Sequence, residues 1–351
     1  MITINGQFTV RRLTGQERFA IELVTAIDKI CKKGDYELVV PKNAKFVPKL
    51  SNISVIRYGK AKGSLWEQLY FAYYVIVKGR KSLNLCSIQP IFKPGIICIH
   101  DLAFKTNKQT SFWNLTFYKK VSKVWHILQY HIAKHFSPLV LTVSEYSKNE
   151  MVKVYHYNPS KVLVIGNGWD HFKRIAFDEQ LKIKHPEYFE RPYFFSLASL
   201  TPNKNFKWIL KVAQKHPQYQ FLIGGNANIR AYGTDFQDDS IKNVKFLGYI
   251  SDGEVKTLMK YCRAFIFPSF FEGFGIPPLE ALSVGASIII SNTTCLPEIF
   301  GKTAHYIDPY NADVNLDEIL SEPTVSPQKV LEKYTFARFA KILHQKLCSK
   351  N

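Results

Sequence analysis

Short apolar runs alternate with longer amphipathic stretches along most of the chain. The apolar runs have the length of strands, and the stretches between them repeat apolar residues every three to four positions, as helices with one buried face do. In the first half this pattern predicts strands near Thr3 and at 36–40, 53–58, 96–100, 139–143 and 161–165, with helices at 15–31, 64–79, 112–135 and 144–155. Strands that alternate with helices indicate an α/β fold with parallel sheets.

The second half repeats the alternation. It predicts strands at 193–197, 220–223, 244–247, 264–267 and 286–291 and helices at 206–215, 251–261 and 277–285. Ser251 and Glu254 have the spacing of a capping box, in which each side chain satisfies a free N–H of the helix start. A chain of 351 residues is long enough for two domains. We therefore expect a first domain at 1–170, a second at 171–326 and a C-terminal helical segment at 327–351.

One stretch of the second half carries candidate chemistry. Between two predicted buried strands, Glu272 and Glu280 lie eight residues apart around a Gly-Phe-Gly turn. The loop would lie at the carboxyl ends of parallel strands, where ligands bind, and would offer the amides of Gly273, Phe274 and Gly275. We expect Glu280 in the first helical turn, where it could accept hydrogen bonds from a ribose diol. The alternative is that both carboxylates are only solvated surface groups.

The segment FEGFGIPPLEAL at 271–282 resembles the donor-site motif of a large family of retaining glycosyltransferases. That family includes sucrose synthase-like enzymes and bacterial polysaccharide mannosyl- and rhamnosyltransferases. The resemblance implies the GT-B fold, in which two Rossmann-like domains face one another across a cleft. It also implies that the first domain binds the acceptor and the second binds the nucleotide sugar.

Four further regions resemble segments of this family in the same order. They are 13–19 (first glycine loop), 99–102 (the histidine near the reacting carbon), 143–148 with 165–170 (end of the first domain) and 196–205 (the phosphate-contacting lysine). The resemblance implies catalytic roles for His100 at a sugar hydroxyl, Lys204 at the leaving phosphate and Glu272 at the sugar. It implies donor contacts from Gly15, Tyr249, Ile250, Gly273, Phe274, Gly275 and Glu280, with Tyr249 and Ile250 binding the base through their backbone.

The chain departs from the family pattern in two places. Where many members carry an arginine before the lysine, this chain has Ser199 and Asn203. One positive charge for the diphosphate is therefore missing or comes from elsewhere. Many members also have an aspartate after the second strand of the motif, whereas residues 292–298 read Asn-Thr-Thr-Cys-Leu-Pro-Glu here.

Charge is concentrated in the first half. Residues 1–170 hold 25 Lys and Arg against 10 Asp and Glu, a net charge of +15, whereas residues 171–351 hold 22 against 18, a net charge of +4. A nucleic acid, an anionic acceptor or an anionic membrane surface would each suit this excess. The sequence has no helix-turn-helix, zinc or aromatic RNA-binding signature, so we expect no nucleic-acid partner. We expect peripheral contact with anionic membrane.

The segment 104–136 interleaves lysines with aromatic residues. Its spacing predicts a helix whose buried face includes Leu115, Tyr118 and Val121, and likewise Val124, Leu128 and His131. The simple interpretation is a core helix with a solvated, lysine-rich side. The second is that this helix borders the acceptor and contacts lipid phosphates, and both can hold at once.

Metal and export signals are not evident in the sequence. The six cysteines are scattered without a C-x-x-C pair, which argues against a zinc site or a disulfide framework. We expect no metal and no cofactor, with a nucleotide-diphosphate sugar as donor substrate. No apolar run approaches the roughly 20 residues of a membrane span. We expect a cytoplasmic protein, with contact on the inner face of the membrane.

Together these observations predict a retaining enzyme that moves a hexose from a nucleotide donor to a glycan or lipid-linked glycan in surface polysaccharide synthesis. One alternative is a GT-B enzyme of another reaction type, such as a sugar epimerase or a phosphorylase. Another is a catalytically silent nucleotide-sugar-binding subunit of a polysaccharide assembly complex. The sequence does not determine the base or the sugar of the donor.

Overall fold

The chain contains two compact units in its computed structural model. The structure describes residues 1–61, 63–102, 117–197, 202–225 and 241–348, and gives the backbone alone for 117–119. The first unit comprises Met1–Gly168 together with Tyr334–Asn351, and the second comprises Trp169–Lys333. Of the predicted C-terminal segment, residues 327–333 therefore belong to the second unit and the remainder to the first.

The first unit alternates strands and helices. Its strands are β1 (Ile2–Asn5), β2 (Tyr36–Val40), β3 (Ser54–Arg57), β4 (Lys81–Asn84), β5 (Ile96–Cys98), β6 (Val140–Thr142) and β7 (Val162–Val164). Its helices are α1 (Gly15–Asp28), α2, α3 (Phe117–Phe136) and α4 (Glu145–Tyr155), and α2 runs through Gly63–Leu65, a π-helical part Trp66–Phe71 and Ala72–Val77. A 3-10 helix, Gln7–Val10, follows β1.

The first sheet is entirely parallel. Its strand order is β3-β2-β1-β4-β5-β6-β7, and every neighbouring pair runs in the same direction. The order extends in one direction from β1 to β3 and in the other from β4 to β7. The change of direction falls between β1 and β4, which makes the gap beyond their carboxyl ends the topological switch point of this sheet.

The second unit repeats the design. Its strands are β8 (Tyr193–Leu197), β9 (Gln220–Gly224), β10 (Val244–Gly248), β11 (Ala264–Phe267), β12 (Ile288–Ser291) and β13 (His305–Ile307). Its helices are α5 (Leu181–Lys184), α6 (Phe206–Lys215), α7 (Asp252–Tyr261), α8 (Ile276–Ser283), α9 (Leu296–Phe300), α10 (Leu316–Ser321) and α11 (Gln328–Lys333). The 3-10 helices Asp170–Arg174, Pro186–Tyr188 and Pro202–Lys204 lie in its loops.

The second sheet is parallel as well, with strand order β10-β9-β8-β11-β12-β13. Counted from β8, this is the 3-2-1-4-5-6 order of a Rossmann sheet, and its switch point lies between β8 and β11. The prediction of an α/β fold with two Rossmann-like units is confirmed. The last helix of the chain, α12 (Phe336–Cys348), belongs to the first unit and packs against α1.

Strand burial explains the long apolar runs of the sequence. Because helices cover both faces of a parallel sheet, its central strands are apolar at every position instead of at alternate ones. In β11 and β12 all eight residues are buried. The core between the second sheet and α6 is built on Trp208, Leu210 and Val212, together with Phe194 and Phe221 of the strands. None of the helices in the described part of the chain combines the length and apolarity needed to cross a bilayer.

The predicted buried face of α3 is wrong. Val121, Val124 and Leu128 are exposed, whereas Gln129, Tyr130, Ile132 and Ala133 are buried. Leu115 and the side chain of Tyr118 lie outside the described residues. The buried side of the helix carries Tyr130 and Ala133, which belong to the same core cluster as Ile97 and Val140 of the strands. Gln129, on the same side, accepts a hydrogen bond from the Gln89 amide at 3.1 Å.

A substitution of Gly275, which precedes α8, would test how tightly the loop after β11 is packed. Gly275 has φ +101°, and an added Cβ would lie 2.9 Å from Leu296 Cδ2 and 3.3 Å from Phe300. Gly34 has a similar φ of +91° with nothing within 4 Å of such an atom. We expect Gly34→Ala to lower the free energy of unfolding by about 1 kcal/mol through backbone strain alone. Gly275→Ala should cost about 1–3 kcal/mol more because of the clash.

Urea unfolding of the two variants measures this difference. Equal losses of stability in both variants would show that the loop after β11 can move away from α9 without cost.

Candidate functional site

The switch point of the second sheet brings two predicted site residues together. Lys204 ends the 3-10 helix that follows β8, and Glu272 lies in the loop that follows β11. Because β8 and β11 are parallel neighbours, the loops at their carboxyl ends meet. Lys204 Nζ donates to Glu272 Oε1 at 2.6 Å and lies 4.7 Å from the ring centre of Phe267.

Both side chains of this pair are accessible. The Lys204 side chain is 25% exposed and that of Glu272 is 13% exposed. The protein fixes the positions of these two charged groups, but solvent still reaches both of them. A ligand can therefore compete with either group for its partner. Phosphate oxygens would compete for the ammonium group, and sugar hydroxyls would donate to the carboxylate.

The two loops are tied together by asparagine side chains. The Asn203 carbonyl accepts from the Phe270 amide at 2.9 Å, and Asn203 Nδ2 donates to the Phe271 carbonyl. Asn205 Nδ2 donates to the carbonyls of Pro268 and Pro309 at 3.0 and 2.7 Å. Asn203, where the family often has arginine, therefore holds the loop after β11. Ser199, the other departure, lies outside the described residues.

Asn205 also has an unusual backbone. Its φ is +52°, in the left-handed region that asparagine tolerates better than most residues, and it is the N-cap of α6. The side chain and backbone of Asn205 together set the direction in which the chain enters α6. This places Lys204 at the edge of the sheet.

The segment after β12 holds the backbone of Glu272. Thr294 Oγ1 accepts from the Glu272 amide at 3.3 Å, and the thiol of Cys295 donates to the Glu272 carbonyl at 3.2 Å. Thr294 has φ +54°, a conformation that is costly for a β-branched residue. The sequence Asn-Thr-Thr-Cys that replaces the family's usual residues therefore positions Glu272 from a third strand end.

The glycine turn lies directly behind this pair. Gly273, Phe274 and Gly275 are buried, and Gly275 is the N-cap of α8. Gly285, whose φ is +83°, follows the end of the helix, as the sequence predicted. The roles of the three loop amides in donor binding stay predictions.

Glu280 occupies a different position from the one expected. The helix begins at Ile276, so Glu280 is its fifth residue and lies outside the first turn, where the helix dipole acts most strongly. The side chain is buried, and its Oε1 lies 2.8 Å from Nε2 of His171, which is also buried. The expected stabilisation by the dipole is therefore wrong, and His171 is the group that orients this carboxylate. Binding of ribose by Glu280 stays a prediction.

Tyr249 and Ile250 follow β10, which is separated from β8 by β9 in the sheet. The Tyr249 side chain is exposed. Ile250 packs on Gly224 at the end of β9, because a Cβ at Gly224 would lie 2.5 Å from Ile250 Cδ1. These two residues are thus placed at the carboxyl edge of the same sheet, two strands away from β8.

In the first unit, His100 is buried and neutral. Its Nε2 lies 2.8 Å from the Leu85 carbonyl, which can only accept, so Nε2 carries the proton and Nδ1 is the acceptor nitrogen. Burial lowers the pKa of His100 to about 4. The ring also meets Phe19 edge to face, with centroids 4.8 Å apart. His100 is therefore suited to accept a hydrogen bond near neutral pH, and it is unsuited to donate a proton from Nδ1.

Gly15 is the first residue of α1 and is exposed. Thr14 and Glu17 form a capping box at this helix start, in which Glu17 accepts from the Thr14 amide at 3.2 Å. The amide of Gly15 consequently lies at a helix N-terminus, where an anion is favoured.

A buried polar cluster, which the sequence did not predict, fills the switch point of the first sheet. Asn5 ends β1 and Asn84 ends β4, and Asn5 Nδ2 donates to Asn84 Oδ1 at 3.1 Å and to Glu67 Oε1 at 3.2 Å. Arg11 lies 3.3 Å from Glu67 Oε2. Desolvation raises the pKa of Glu67 to about 7, although Arg11 and Asn5 favour its charged form. Glu67 lies in the π-helical part of α2, a distortion that is frequent at functional sites.

The sequence did not identify Asn5, Glu67, His171 or Thr294 as site residues, and it gave Asn205 no role. A buried Asx directly after an apolar strand is a usable signal for Asn5, and the pair Lys-Asn at 204–205 is a usable signal for Asn205. Nothing local marks His171 or Glu67, because their partners lie 109 and 62 residues away.

Comparisons with known proteins agree with the fold of the two units. Residues 177–322 match the family described as glycosyl transferases group 1. Sucrose-phosphate synthase from Thermosynechococcus elongatus superposes with a TM-score of 0.75 at 14% identity, covering 98% of this chain and 97% of that one. Anabaena HepE in complex with UDP and glucose gives a TM-score of 0.70 at 16% identity, covering 99% of both chains. These two likenesses show the fold.

Two curated relatives are named as O-antigen chain mannosyltransferases. O-antigen chain mannosyltransferase B of Escherichia coli is 27% identical over 203 residues, which is 54% of this chain and 52% of that protein. The chain thus spans about half the length of this relative. O-antigen chain mannosyltransferase RfbU of Salmonella typhimurium is 26% identical over 316 residues, covering 84% of this chain and 83% of that protein.

The chain therefore has the GT-B type of fold, with two parallel-sheet α/β units. Its match to the glycosyl transferases group 1 family, over residues 177–322, lies within the second unit.

The raised pKa of Glu67 predicts a pH-dependent contribution to stability. A carboxyl whose pKa is higher in the folded than in the unfolded protein binds more protons when folded, so stability falls as pH rises from about 4.5 to about 7. Glu67→Gln removes this titration. We expect the unfolding free energy of the variant, relative to the wild type, to increase between pH 5 and pH 8. Chemical unfolding at both pH values measures this difference in unfolding free energy, and Glu190→Gln, at an exposed glutamate, is the control.

If the relative stability of Glu67→Gln instead fell over this range, the ion pair with Arg11 would outweigh desolvation.

The contact between His171 and Glu280 predicts coupled losses of stability. His171→Leu leaves a buried carboxylate without this partner, which should cost about 1–3 kcal/mol. Glu280→Gln removes the charge, and the double variant should be more stable than the sum of the single losses by about 1 kcal/mol or more. A double-mutant cycle by urea unfolding measures this coupling, and additive losses would contradict a direct interaction.

Proposed function

We propose that this chain is a retaining glycosyltransferase that moves a hexose from a nucleotide-diphosphate sugar to a glycan or lipid-linked glycan during surface polysaccharide synthesis. The observation that carries the proposal is the contact between Lys204 and Glu272 at the switch point of a group 1 glycosyltransferase domain. One residue supplies positive charge and the other accepts hydrogen bonds, at the sheet edge where ligands of such folds bind.

Lys204 acts on the leaving group in this proposal. Cleavage of the bond between the anomeric carbon and the diphosphate leaves negative charge on the phosphate, and the sugar passes through an oxocarbenium-like state. A preorganised ammonium group stabilises that charge without having to reorganise during the reaction. The cation–π contact with Phe267 and the ion pair with Glu272 keep the ammonium group in place before the donor arrives.

Glu272 and Glu280 orient the donor. Glu272 accepts hydrogen bonds from a sugar hydroxyl once the phosphate has taken over part of the interaction with Lys204. Glu280 accepts from the ribose through the oxygen that His171 does not occupy, since the hydrogen bond to His171 involves Oε1. His100 contributes its acceptor nitrogen, Nδ1, to a sugar hydroxyl.

Retention of configuration follows, in this proposal, from attack on the same face that the diphosphate leaves, with the departing phosphate taking the acceptor's proton. The amide of Gly15 and the amides of the turn from Gly273 to Gly275 are further hydrogen-bond donors for the diphosphate, in addition to the ammonium group of Lys204. We propose that these protein groups neutralise the diphosphate, so that transfer needs neither a divalent ion nor a cofactor.

The acceptor class is inferred from relatives and from surface charge. Two relatives are named as O-antigen chain mannosyltransferases, and a third is named as a galactosyltransferase that acts on a diphosphoundecaprenol-linked sugar. An acceptor of that kind carries phosphate and is anchored in a membrane. The net charge of +15 on residues 1–170 suits both properties.

Two exposed apolar stripes on the first unit support contact with a membrane. On α2, Leu65, Leu69, Tyr73 and Ile76 recur every three or four residues and are 50–59% exposed. On α3, the exposed residues Val121, Val124 and Leu128 form a similar stripe. Exposed lysines accompany α2, namely Lys60, Lys78 and Lys81. We propose that these faces rest on the inner face of an anionic membrane and that the enzyme works in the cytoplasm.

The chemical proposal predicts large losses of transfer from single substitutions. Lys204→Ala should lower kcat/KM about 100- to 1,000-fold, because it removes a charge that acts mainly in the transition state. Glu272→Ala should also lower kcat/KM at least tenfold. Lys215→Ala is the matched control, since Lys215 forms an exposed ion pair with Asp313 at 2.7 Å in the same unit. The assay follows sugar transfer from a panel of nucleotide sugars, with chelator present.

Wild-type rates in Lys204→Ala and Glu272→Ala would contradict the site. Hydrolysis or epimerisation of the donor without acceptor would favour another reaction type, and binding of nucleotide without any turnover would favour a silent subunit. The anomeric coupling constant of the product, measured by NMR, tests retention.

Membrane contact has its own test. The protein should float with vesicles that contain phosphatidylglycerol and remain in solution with vesicles of phosphatidylcholine. Replacing Leu69 and Tyr73 by serine should reduce flotation several-fold, because a buried apolar side chain contributes about 1.5–3 kcal/mol. Ile183→Ser, at an exposed apolar residue of the second unit, is the control. If the double variant floated as well as the wild type, the apolar stripe on α2 would not be a membrane contact.

A further inference from the structure

Three side chains of metal-ligating types meet in the first unit, beside the start of β2. Asp35 directly precedes this strand, and His344 and Cys348 lie in the last turns of α12. One carboxylate oxygen of Asp35, Nδ1 of His344 and Sγ of Cys348 all lie within 4.8 Å of one another. Within the described ranges this is the one group of three such side chains.

The two ligands on α12 are already separated as a metal requires. His344 and Cys348 are four residues apart and therefore lie on the same face of the helix. Their Nδ1 and Sγ atoms are 3.5 Å apart. A tetrahedral zinc ion with Zn–S of about 2.3 Å and Zn–N of about 2.0 Å separates these atoms by about 3.5 Å. A zinc ion could therefore join both side chains with little movement of the helix.

The third ligand is held by its own hydrogen bond. Asp35 Oδ2 accepts from the amide of Lys32 at 2.9 Å, which fixes the carboxylate. A carboxylate that is anchored through one oxygen can present the other to a metal, an arrangement that is common in metal sites. A movement of Asp35 by about 1 Å would bring a carboxylate oxygen to the separation expected for a tetrahedral site.

Tyr36 completes the surroundings of the cluster. Its hydroxyl lies 3.1 Å from His344 Nδ1 and 3.7 Å from Cys348 Sγ. Tyr36 can therefore donate a hydrogen bond to a metal-bound thiolate, as outer groups of metal sites do.

We propose that Asp35, His344 and Cys348 bind a divalent transition metal, with Zn²⁺ as the best match. One thiolate, one imidazole and one carboxylate are ligands that zinc accepts in tetrahedral sites, and water would occupy the fourth position. Cys348 releases its thiol proton to solvent when the metal binds. The spacing of the cysteines argued against a zinc site. That rule detects only zinc sites built on pairs of cysteines, and it does not detect a single cysteine that folding brings next to a histidine and an aspartate.

The role of the metal is structural. The apolar side of α12, with Phe336, Phe339, Ala340 and Leu343, is buried in the first unit, and α12 packs against α1. Asp35 belongs to the segment between α1 and β2. A metal shared by Asp35 and the last turn of α12 would fix the end of this helix to the sheet side of the unit.

Cobalt spectroscopy tests the site directly on the full chain. Metal-free protein titrated with Co²⁺ should develop a thiolate-to-cobalt charge-transfer absorption at one equivalent, and Zn²⁺ should displace it. Cys348→Ser should abolish this absorption, and His344→Ala should weaken cobalt binding at least tenfold. Cys262→Ser, at a half-buried cysteine outside the cluster, is the matched control. Absorption that persists in Cys348→Ser, or that disappears in Cys262→Ser, would overturn the proposal.

A thermal readout covers the case in which a substitution changes folding. A metal that binds only the folded state raises Tm, so Zn²⁺ should raise the Tm of the wild type and of Cys262→Ser. The increment should vanish in Asp35→Asn and in His344→Ala, whatever their Tm without metal. Equal increments in the wild type and both variants, or no increment in the wild type, would overturn the proposal.

Discussion

The parallel pairing of β8 with β11 is the constraint on which the candidate site depends. The two strands are neighbours only because the order of the second sheet changes direction between them. Their carboxyl ends consequently release two loops at the same point, and Lys204 meets Glu272 there. Asn203, Asn205 and Thr294 then hold these loops with hydrogen bonds to backbone groups. The charged pair is therefore organised by the sheet before any ligand is present.

The two sheets use their switch points differently. In the first, Asn5, Asn84 and Glu67 are buried and satisfy one another, and Arg11, whose side chain is 26% exposed, contacts Glu67. In the second, both members of the pair, Lys204 and Glu272, are only partly buried. Exchanging a partly buried ion pair for contacts with a ligand costs less than opening a buried network, which leaves polar groups unpaired. This difference favours the second unit as the place where a charged donor binds.

The sequence predicted elements that depend on local chemistry. Tyr36–Val40, Tyr193–Leu197 and Phe206–Lys215 match the expected bounds, and the capping box of Ser251 and Glu254 is present at the start of α7. Prediction failed for β4, whose residues Lys-Ser-Leu-Asn have no apolar run. Its central place in the first sheet buries three of these four residues and sets their conformation. It failed again for the face of α3, whose buried residues share a core cluster with strand residues that are distant in the sequence.

The sequence identified the residues of the candidate site as a motif, but it did not predict which side chains contact one another. Glu272, Lys204 and the glycine turn could be identified from their order along the chain. The partner of Glu280 could not, because His171 lies in a charged segment with no regular pattern and becomes a neighbour only when β11 and α8 are in place. The same holds for Asp35, which lies more than 300 residues from His344 and Cys348 in the sequence.

A crystal structure with a bound nucleotide-diphosphate sugar would show whether Lys204 and Glu272 bind the donor. We expect Lys204 Nζ to lie about 3 Å from a diphosphate oxygen and a sugar hydroxyl to donate to the Glu272 carboxylate. A nucleotide bound away from the carboxyl ends of β8 and β11, with the contact between Lys204 and Glu272 unchanged, would rule out this site.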